Sequence, residues 1–390
     1  MIGLNILAQY VHNRAALLAW ARSSNASAFV CMDDPALALA LHVAAPSAVV
    51  VHRSHSGFDK RWHTTLSPSD WLRTYRSTIP TGVVAQVFNE PEIGDLDTFL
   101  NWLEELVQFC PADLTLCLPN FAVGNPHEDL IRNGAFDRLL RLVCGTRHYL
   151  GLHEYFKADP LGESPYLCGR FAYWLVRAQA LGLPRPKIIL TEHGRDVGGQ
   201  RGDGWRGTGW SENQYVDLLI QTHQRLYLPH GIPVCVFGYG DGADREWQSF
   251  SVEGADTVLG RIAEYNQMTQ PPTQQRQATA NAALNLRPTA STAQPQLVRI
   301  PAGATFTIWR QPVVLGDGLS WVNASYEGKQ GFVAVSVNGA ATYKIQETEP
   351  PPPDGVYSEN LTDDEIQQLI TFHTGIAAVY KALWERRTKV

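Results

Sequence analysis

Two glutamates in this sequence directly follow short apolar runs, which is an unusual place for a charged side chain. Glu90 ends the segment VVAQVFNE, and Glu192 ends the segment KIILTE. Burying an ionised carboxylate costs several kcal/mol unless the group is paired or performs chemistry. Two carboxyl groups in unequal environments can act as a proton donor and a nucleophile. Such chemistry requires a fold that brings Glu90 and Glu192 together.

Eight short apolar runs alternate with helical segments along the first two thirds of the chain. The runs are almost continuously apolar, as in parallel strands that are buried on both faces. They are Ile2 to Leu7, Ala28 to Met32, Ala48 to Val51, Val83 to Phe88, Leu114 to Leu118, Tyr149 to His153, Lys187 to Thr191 and Pro233 to Phe237. Segments with helical periodicity, such as DLDTFLNWLEELVQF, separate them. This alternation predicts an α/β fold with a parallel sheet.

Eight such units in about 250 residues fit a closed (β/α)₈ barrel, the TIM barrel, better than an open sheet. The main alternative, a doubly wound sheet, usually has a Gly-rich turn after its first strand. The segment LNILAQYVHN contains no such turn. In a barrel, the groups that perform chemistry lie at the carboxyl ends of the strands. Glu90 and Glu192 would then face each other across one mouth, as retaining glycoside hydrolysis requires.

The sixth strand adds polar groups to the same mouth. It ends in LHEYF, where the period of two places His153 and Tyr155 on one side and Glu154 on the other. The Asn-Glu-Pro of strand four, the His-x-Tyr of strand six and the Glu of strand seven together resemble the clan A glycoside hydrolases. That superfamily contains cellulases, mannanases and β-glycosidases. The resemblance covers Met1 to about Gln267, and it implies a catalytic domain that cleaves β-glycosidic bonds with retention.

The resemblance assigns a role to each matching residue. Glu90 resembles the general acid/base of the clan, and Glu192 resembles its nucleophile. Asn89 resembles the residue that hydrogen-bonds the sugar 2-hydroxyl. Tyr155 resembles the tyrosine that bonds the nucleophile, and His153 resembles a neighbouring polar residue of the subsite. The resemblance implies neither a metal nor an organic cofactor.

Arginine and aromatic side chains complete the predicted site. Arg53, at the end of the third strand, resembles the arginine that many members place beside the nucleophile, although theirs is on another strand. Many members also have a tryptophan after strand eight as a floor for the sugar. Here the strand continues as VCVFGYGDG, and Tyr239 or Trp247 could take that role. Trp205, in the Gly-rich loop after strand seven, could line the cleft. Packing of the loops onto the barrel is the alternative for each of these aromatic residues.

Two alternatives remain open at this stage. The two glutamates could be structural partners of Arg53 or Arg195. The chain could also be a non-catalytic glycan-binding protein on a degenerate barrel, because the end of strand eight departs from the clan. His52 and His55 lie close to Arg53 in the sequence, but no carboxylate or cysteine completes a metal-like spacing with them. No metal site is therefore predicted.

The composition bears on partners and on cellular location. The net charge of −6 and the pI of about 6.1 do not suggest a basic surface for nucleic acid or for an acidic membrane. The six cysteines form no C-x-x-C pair and lie mostly in apolar runs, which predicts reduced thiols. No apolar run is long enough to predict a membrane span. The start MIGLNILAQY lacks the features of a signal peptide. We therefore expect a cytoplasmic protein that reaches an external substrate by lysis or another route.

The last third of the sequence differs in composition. Residues 268–296 are rich in Gln, Thr, Ala and Pro, which predicts a flexible linker. Residues 297–347 contain short alternating strands and Gly-rich turns, and they resemble bacterial Src-homology-3-like barrels, which commonly attach to cell-wall hydrolases. This resemblance implies contact with a wall or polymer, as in a phage-type lysin acting on a cell-wall or exopolysaccharide glycan. A spacer or dimerisation unit is the alternative. Residues 348–390 are predicted to form a Pro-rich spacer and a helix.

Overall fold

The computed structural model describes residues 1–55, 59–164, 166–242, 245–269, 275–287, 296–314, 320–334, 336–337, 340–341 and 343–345. The chain divides into two compact units, and the first boundary between them falls between Met268 and Thr269. The helix predicted within residues 348–390 lies outside the described residues. Among the described helices, none combines the length and the apolar character that crossing a bilayer requires.

The amino-terminal unit is a closed barrel of eight parallel strands in chain order. The strands are β1 (Ile2–Ile6), β2 (Ala28–Met32), β3 (Val49–Arg53), β4 (Val84–Gln86), β5 (Leu116–Phe121), β6 (Tyr149–Phe156), β7 (Lys187–Arg195) and β8 (Val234–Tyr239). β8 pairs with β1 and closes the barrel, with Ile2 beside Val234. The predicted α/β class and the TIM barrel are confirmed.

Helices fill the gaps between the strands. They are α1 (Arg14–Ser23), α2 (Pro35–Ala44), α3 (Trp62–Thr65), α4 (Pro68–Tyr75), α5 (Leu96–Phe109), α6 (Glu128–Arg132), α7 (Asp137–Val143), α8 (Phe171–Ala180), α9 (Glu212–Thr222) and α10 (Asp256–Thr269). Short 3₁₀ segments occur at Ala8–Tyr10, Asp59–Arg61, Arg76–Thr78 and Leu228–His230, and a π-helical turn at His223–Tyr227. Several helices begin at capping residues. The hydroxyls of Ser67 and Ser211 each accept a hydrogen bond from a backbone N–H three residues later.

The barrel strands are buried on both faces. Every residue of β1, β5 and β8 is buried. One large apolar cluster includes outward-facing strand residues and helix residues, and a smaller one includes Val30, Val51, Cys117, Ile189 and Cys235. This double burial explains why the strands are nearly continuous apolar runs in the sequence. The six cysteines are free thiols, as predicted.

The second unit is built from antiparallel strands. They are β9 (Gln275–Ala280), β10 (Leu284–Leu286), β11 (Val298–Ile300), β12 (Thr305–Val314), β13 (Ser320–Tyr326), β14 (Lys329–Ala334), β15 (Ser336–Val337), β16 (Ala340–Ala341) and β17 (Tyr343–Ile345). One sheet has the order β14-β13-β12-β9-β17, while β10 pairs with β11 and β15 with β16. The unit is all-β, as expected. Its likeness to Src-homology-3 barrels stays a prediction.

β9 and β10 correct the prediction of a flexible linker. Both strands lie inside residues 268–296. Ala278 and Ala280 alternate with more exposed residues in β9, and they are buried with Leu284 and Leu286 in a small core. Alanine is a weak hydrophobic marker, so the segment QRQATA lacks the pattern from which a strand is predicted.

Candidate active site

The chain leaves β4 in an unusual conformation at Glu90. Asn89 forms an isolated bridge with Asn120, and the Glu90 N–H donates to the Asn120 carbonyl at 2.7 Å. Asn89 is buried, and its Oδ1 accepts a hydrogen bond from Gln86 Nε2 at 3.2 Å. Glu90 has a φ of 50°, in the left-handed region that non-glycine residues seldom adopt. Such conformations in non-glycine residues cluster at functional sites.

One nitrogen of His153 contacts both predicted carboxyl groups. His153 Nδ1 lies 3.3 Å from Glu90 Oε1 and 3.4 Å from Glu192 Oε2. The two oxygens can therefore be no further apart than these distances combined, about 6.7 Å. The His153 side chain is buried. The structure thus brings together three of the predicted site residues, one from the segment after β4 and one each from β6 and β7.

Glu192 lies in a buried environment with a hydrogen-bond donor on each oxygen. Its side chain is 10% exposed. The Tyr155 hydroxyl donates to Oε2 at 2.8 Å, and Arg53 Nη1 donates to Oε1 at 3.3 Å. Burial, together with the adjacent Glu192 carboxylate, raises the pKa of Tyr155 well above its ordinary value. Tyr155 therefore keeps its proton and remains a donor, so each oxygen of Glu192 accepts one hydrogen bond.

Arg53 connects Glu192 to a second buried acid. The Arg53 guanidinium ends β3, and its Nη2 lies 3.6 Å from Asp59 Oδ2. Burial raises the pKa of Asp59, whereas the nearby Arg53 acts in the opposite direction. The sequence analysis placed Arg53 beside the predicted nucleophile, and the ion pair with Glu192 agrees with that position.

Glu90 has a more exposed environment than Glu192, and a different cation contacts it. Its side chain is 34% exposed, and Lys60 Nζ lies 2.9 Å from Oε2. The hydrogen bond from His153, and then that from Lys60, hold the pKa of Glu90 well below its usual range, although burial acts in the opposite direction. This environment favours the ionised carboxylate, whereas a general acid must hold a proton. Lys60 belongs to the 3₁₀ segment after β3, and the sequence analysis did not single it out.

Glu154 faces away from the mouth, as the period of two in β6 predicts. Its Oε1 accepts a hydrogen bond from the Phe171 N–H at 3.0 Å, and its Oε2 accepts one from the Tyr227 hydroxyl at 2.9 Å. The carboxyl is fully buried at the start of α8, and burial raises its pKa to about 7. Glu154 therefore packs α8 against the barrel, while its neighbours His153 and Tyr155 contact the two site glutamates.

Two of the predicted aromatic residues are buried in packing contacts. Trp205 is 2% exposed, its ring stacks on Tyr215 at a centroid distance of 4.9 Å, and its N–H donates to the Phe250 carbonyl. Tyr239 is buried in the core formed by the strands and the helices. Neither ring offers an open face to a sugar, so the expectation that Trp205 or Tyr239 lines the cleft is not supported. Loop packing, the alternative for these residues, accounts for them.

Phe237 and Trp247 lie in an aromatic cluster beside the carboxylates. Phe237, in β8, contacts Tyr155 edge-on at 6.3 Å between centroids, and it contacts Trp247 at 5.6 Å. Trp247 is half-buried, and the peptide bond between Phe237 and Gly238 is cis. Trp247 is thus the predicted aromatic residue that reaches the neighbourhood of Glu192. The sequence analysis missed Phe237, because a phenylalanine inside an apolar strand gives no separate signal.

The described residues contain no cluster of metal-ligand type. No group of three or more His, Cys, Asp or Glu side chains among them is arranged to hold a metal ion. His52 is buried, and burial lowers its pKa. His55 is exposed, and its backbone N–H donates to Asp33. The two histidines therefore have separate environments.

The comparisons with known proteins give remote similarity to solved structures. No protein-family model and no curated protein matches the sequence. The GH2 β-galacturonidase of Eisenbergiella tayi is similar with a TM-score of 0.39 and 13% identity, over 65% of this chain and 46% of that one. A glucosidase of Croceicoccus marinus is similar with a TM-score of 0.44 and 10% identity, over 79% and 69%. The catalytic domain of Thermobifida fusca endoglucanase Cel5A is similar with a TM-score of 0.39 and 12% identity, over 67% and 91%.

These solved structures are all glycosidases, but likeness at this level carries no argument about activity. The chain also spans less than half the length of the galacturonidase, of which it covers 46%. The barrel topology and the contacts around His153 are the grounds on which a function can be argued.

Proposed function

We propose that the amino-terminal barrel is a retaining glycoside hydrolase that cleaves β-glycosidic bonds of a polysaccharide or oligosaccharide. The observation that carries the proposal is the contact of one His153 nitrogen with both Glu90 and Glu192, at 3.3 and 3.4 Å. Retaining enzymes hold their carboxyl groups about 5–5.5 Å apart, and inverting enzymes about 6.5–9.5 Å apart. The two contacting oxygens are about 6.7 Å apart only if the His153 nitrogen lies on the straight line between them. At any smaller O–N–O angle the oxygens are closer together, which supports the retaining spacing.

The proposed reaction has two displacements. Glu192 attacks the anomeric carbon while the bond to the leaving oxygen breaks, and Glu90 gives its proton to that oxygen. This leaves a glycosyl ester on Glu192 and an ionised Glu90. Glu90 then takes a proton from a water molecule as that water attacks the anomeric carbon and releases Glu192. Each carboxyl group ends in its starting state.

The contacts of Glu192 support its proposed role, whereas one contact of Glu90 has to change during the reaction. Tyr155 and Arg53 donate to the two oxygens of Glu192, which fixes its orientation before attack. Glu90 is accessible enough to exchange a proton with water and with a leaving group. Its contact with Lys60 must weaken before Glu90 can act as an acid, so substrate binding has to change that contact. Asn89 and Trp247 are proposed as sugar-binding residues.

Hydrolysis of a panel of β-linked polysaccharides and aryl glycosides tests the proposal. The enzymes compared are wild type, Glu90→Ala, Glu192→Ala and, as a matched control, Glu92→Ala, which removes an exposed carboxylate near Glu90. We expect both site variants to lose activity and the control to keep it. We also expect Glu192→Ala to form an α-glycosyl azide from an activated substrate in the presence of azide. Full activity in either site variant would refute the assignment.

Non-catalytic glycan binding is the second candidate, and the Lys60–Glu90 ion pair favours it. A carboxylate held ionised by a lysine can accept hydrogen bonds from sugar hydroxyls without any proton transfer. This function predicts that no panel substrate is cleaved and that Glu90→Gln, which loses the charge and one acceptor oxygen, weakens glycan binding. Glycan-array binding by the wild type and Glu90→Gln, together with the hydrolysis panel, distinguishes the two functions.

A cell-wall or exopolysaccharide substrate is the narrower version of the proposal. It rests on the resemblance of residues 297–347 to the barrels of cell-wall hydrolases. Release of reducing ends from isolated walls or exopolysaccharide by the wild type, and not by Glu192→Ala, would support it. Absence of release would remove this version and leave the glycosidase.

A further inference from the structure

Lys60 has one ionic partner in the described part of the chain, and that partner is the proposed catalytic acid. Its Nζ lies 2.9 Å from Glu90 Oε2. The next residue, Arg61, faces Glu92 instead, at 3.5 Å. Residues 56–58, which precede this 3₁₀ segment, are Ser, Gly and Phe and supply no carboxylate. Asp59, the preceding residue, also acts electrostatically on Lys60, but among the described residues Glu90 is the carboxylate within ion-pair distance of it.

In the proposed mechanism, Lys60 loses its ionic partner when Glu90 carries its proton. Glu90 must be neutral when it donates its proton, and an adjacent cation opposes protonation. Arg53 keeps its carboxylate partners at that moment, because it contacts Glu192 and Asp59, and His153 keeps its contact with Glu192. Within the described part of the chain, Lys60 is the cation at this site that loses its ion-pair partner. An anionic group on the bound substrate would replace it.

We propose that the substrate is an acidic glycan, and that Lys60 determines this specificity by exchanging Glu90 for a carboxylate of the sugar. The inference rests on the proposed function for the role of Glu90, but it makes a separate claim about recognition. The Lys60 side chain is 44% exposed, so its ammonium is accessible to a ligand. A lysine ammonium on its flexible stem can turn from one carboxylate to another. A neutral sugar would leave the Lys60–Glu90 pair in place and Glu90 ionised.

Binding of one polymer in two charge states tests this claim apart from hydrolysis. Hyaluronan, chondroitin and β-mannuronan are each compared with their carboxyl-reduced forms by affinity electrophoresis. All proteins carry Glu192→Gln to prevent cleavage. The additional changes are Lys60→Met, Lys60→Arg and Arg61→Met, and Arg61→Met serves as the control for loss of a neighbouring cation. Non-specific attraction is not expected to favour the acidic forms, because the chain has a net charge of −6.

We expect at least one native polymer to bind about tenfold more tightly than its reduced form. One charge-assisted hydrogen bond contributes about this much to affinity. Lys60→Met should abolish this preference, whereas Lys60→Arg and Arg61→Met should keep it. The inference is overturned if no native polymer binds more tightly than its reduced form, or if the preference survives Lys60→Met. Hydrolysis of neutral glycans that depends on Glu90 and Glu192, without any charge preference, would overturn this inference alone. A charge preference without hydrolysis of any panel substrate would overturn the proposed function alone.

Discussion

The surroundings of Glu192 and of Glu90 differ although both groups lie at one barrel mouth. Glu192 is buried, and Tyr155 and Arg53 occupy its two oxygens. Glu90 is partly exposed and is paired with the flexible, half-exposed Lys60. A buried carboxylate with fixed donors keeps one charge state and one orientation, whereas an exposed one beside a flexible cation can change its charge when that cation moves. The difference suggests a fixed nucleophile opposite an adjustable proton carrier.

Glu192→Ala should have the largest effect on activity. It removes the proposed nucleophile, so kcat should fall by at least about 10⁴-fold, as for nucleophiles in other hydrolases. Steady-state kinetics on an activated aryl glycoside measure this, with Glu92→Ala as the reference. A loss below tenfold would mean that Glu192 is not the fixed nucleophile.

Glu90→Ala should cost less, and its cost should depend on the leaving group. General acid catalysis contributes about 10²–10⁴-fold. The variant should therefore lose that much on a substrate with a poor leaving group, and far less on a dinitrophenyl glycoside, whose departure needs no proton. Comparing kcat/KM for the two substrates checks this. Equal losses on both would contradict a proton-carrying role for Glu90.

Tyr155→Phe should have an intermediate effect, because it removes one donor to Glu192 and keeps the ring that packs on Phe237. A hydrogen bond to a charged group contributes about 1.5–3 kcal/mol. We expect a loss of about 10- to 100-fold in kcat/KM at an unchanged melting temperature. A large drop in melting temperature would indicate a structural role for Tyr155 instead.

Lys60→Met should shift the pH profile more than it lowers the maximal rate. The hydrogen bond from His153, and then that from Lys60, hold the pKa of Glu90 below its usual range. Removing the cation raises that pKa, so Glu90 keeps its proton to a higher pH. The alkaline limb of kcat/KM, on which this proton is lost, should therefore move to higher pH, and Lys60→Arg should restore it. If the alkaline limb of kcat/KM stays at the same pH, Lys60 does not control the protonation of Glu90.

Glu154→Gln should leave activity nearly unchanged and lower stability. Glu154 lies on the side of β6 that faces away from the site, whereas His153 and Tyr155 lie on the side that faces it. Glu154 accepts hydrogen bonds from Phe171 and Tyr227, and an amide nitrogen cannot accept one. The expected loss is about 1–3 kcal/mol in the free energy of unfolding. Chemical denaturation measures it, with Glu92→Gln as the exposed control.

Glu154 should also make stability depend on pH. Burial raises its pKa from 4.5 to about 7, so between these values the folded protein keeps a proton that the unfolded chain has lost. Its contribution to the free energy of unfolding should therefore decrease as the pH rises from 4.5 to about 7. Glu154→Gln should remove this part of the dependence. An unchanged slope would mean that Glu154 is already ionised in the folded protein.

The barrel could be predicted from the sequence because burial on both faces marks each strand. The second predicted strand, Ala28 to Met32, has the observed bounds, whereas β6 and β7 continue to Phe156 and Arg195. These two strands run on because backbone pairing continues after the apolar run has ended. These extensions contain Tyr155 and Glu192. The site residues therefore lie just after the predicted strand ends.

The rest of the site could not be predicted, because loops and caps depend on distant contacts. Lys60 reaches Glu90 from a 3₁₀ segment 30 residues earlier, and no local pattern encodes that contact. Trp205 lies in a Gly-rich loop, where a buried and an exposed tryptophan look alike in sequence. Phe237 is indistinguishable from a core residue of β8. Patterns of burial determine strands, but contacts between loops have no such pattern.

The most direct test of the retaining mechanism is to trap the intermediate with a 2-deoxy-2-fluoro glycoside of the best panel substrate and to map the labelled peptide by mass spectrometry. The fluorine slows both displacements, and an activated leaving group allows the first to proceed, so a glycosyl ester should accumulate. We predict one sugar on the peptide that contains Glu192, and none in Glu192→Gln. A label on Glu90 or on another residue, or turnover of the parent substrate with no label at all, would contradict the proposed nucleophile.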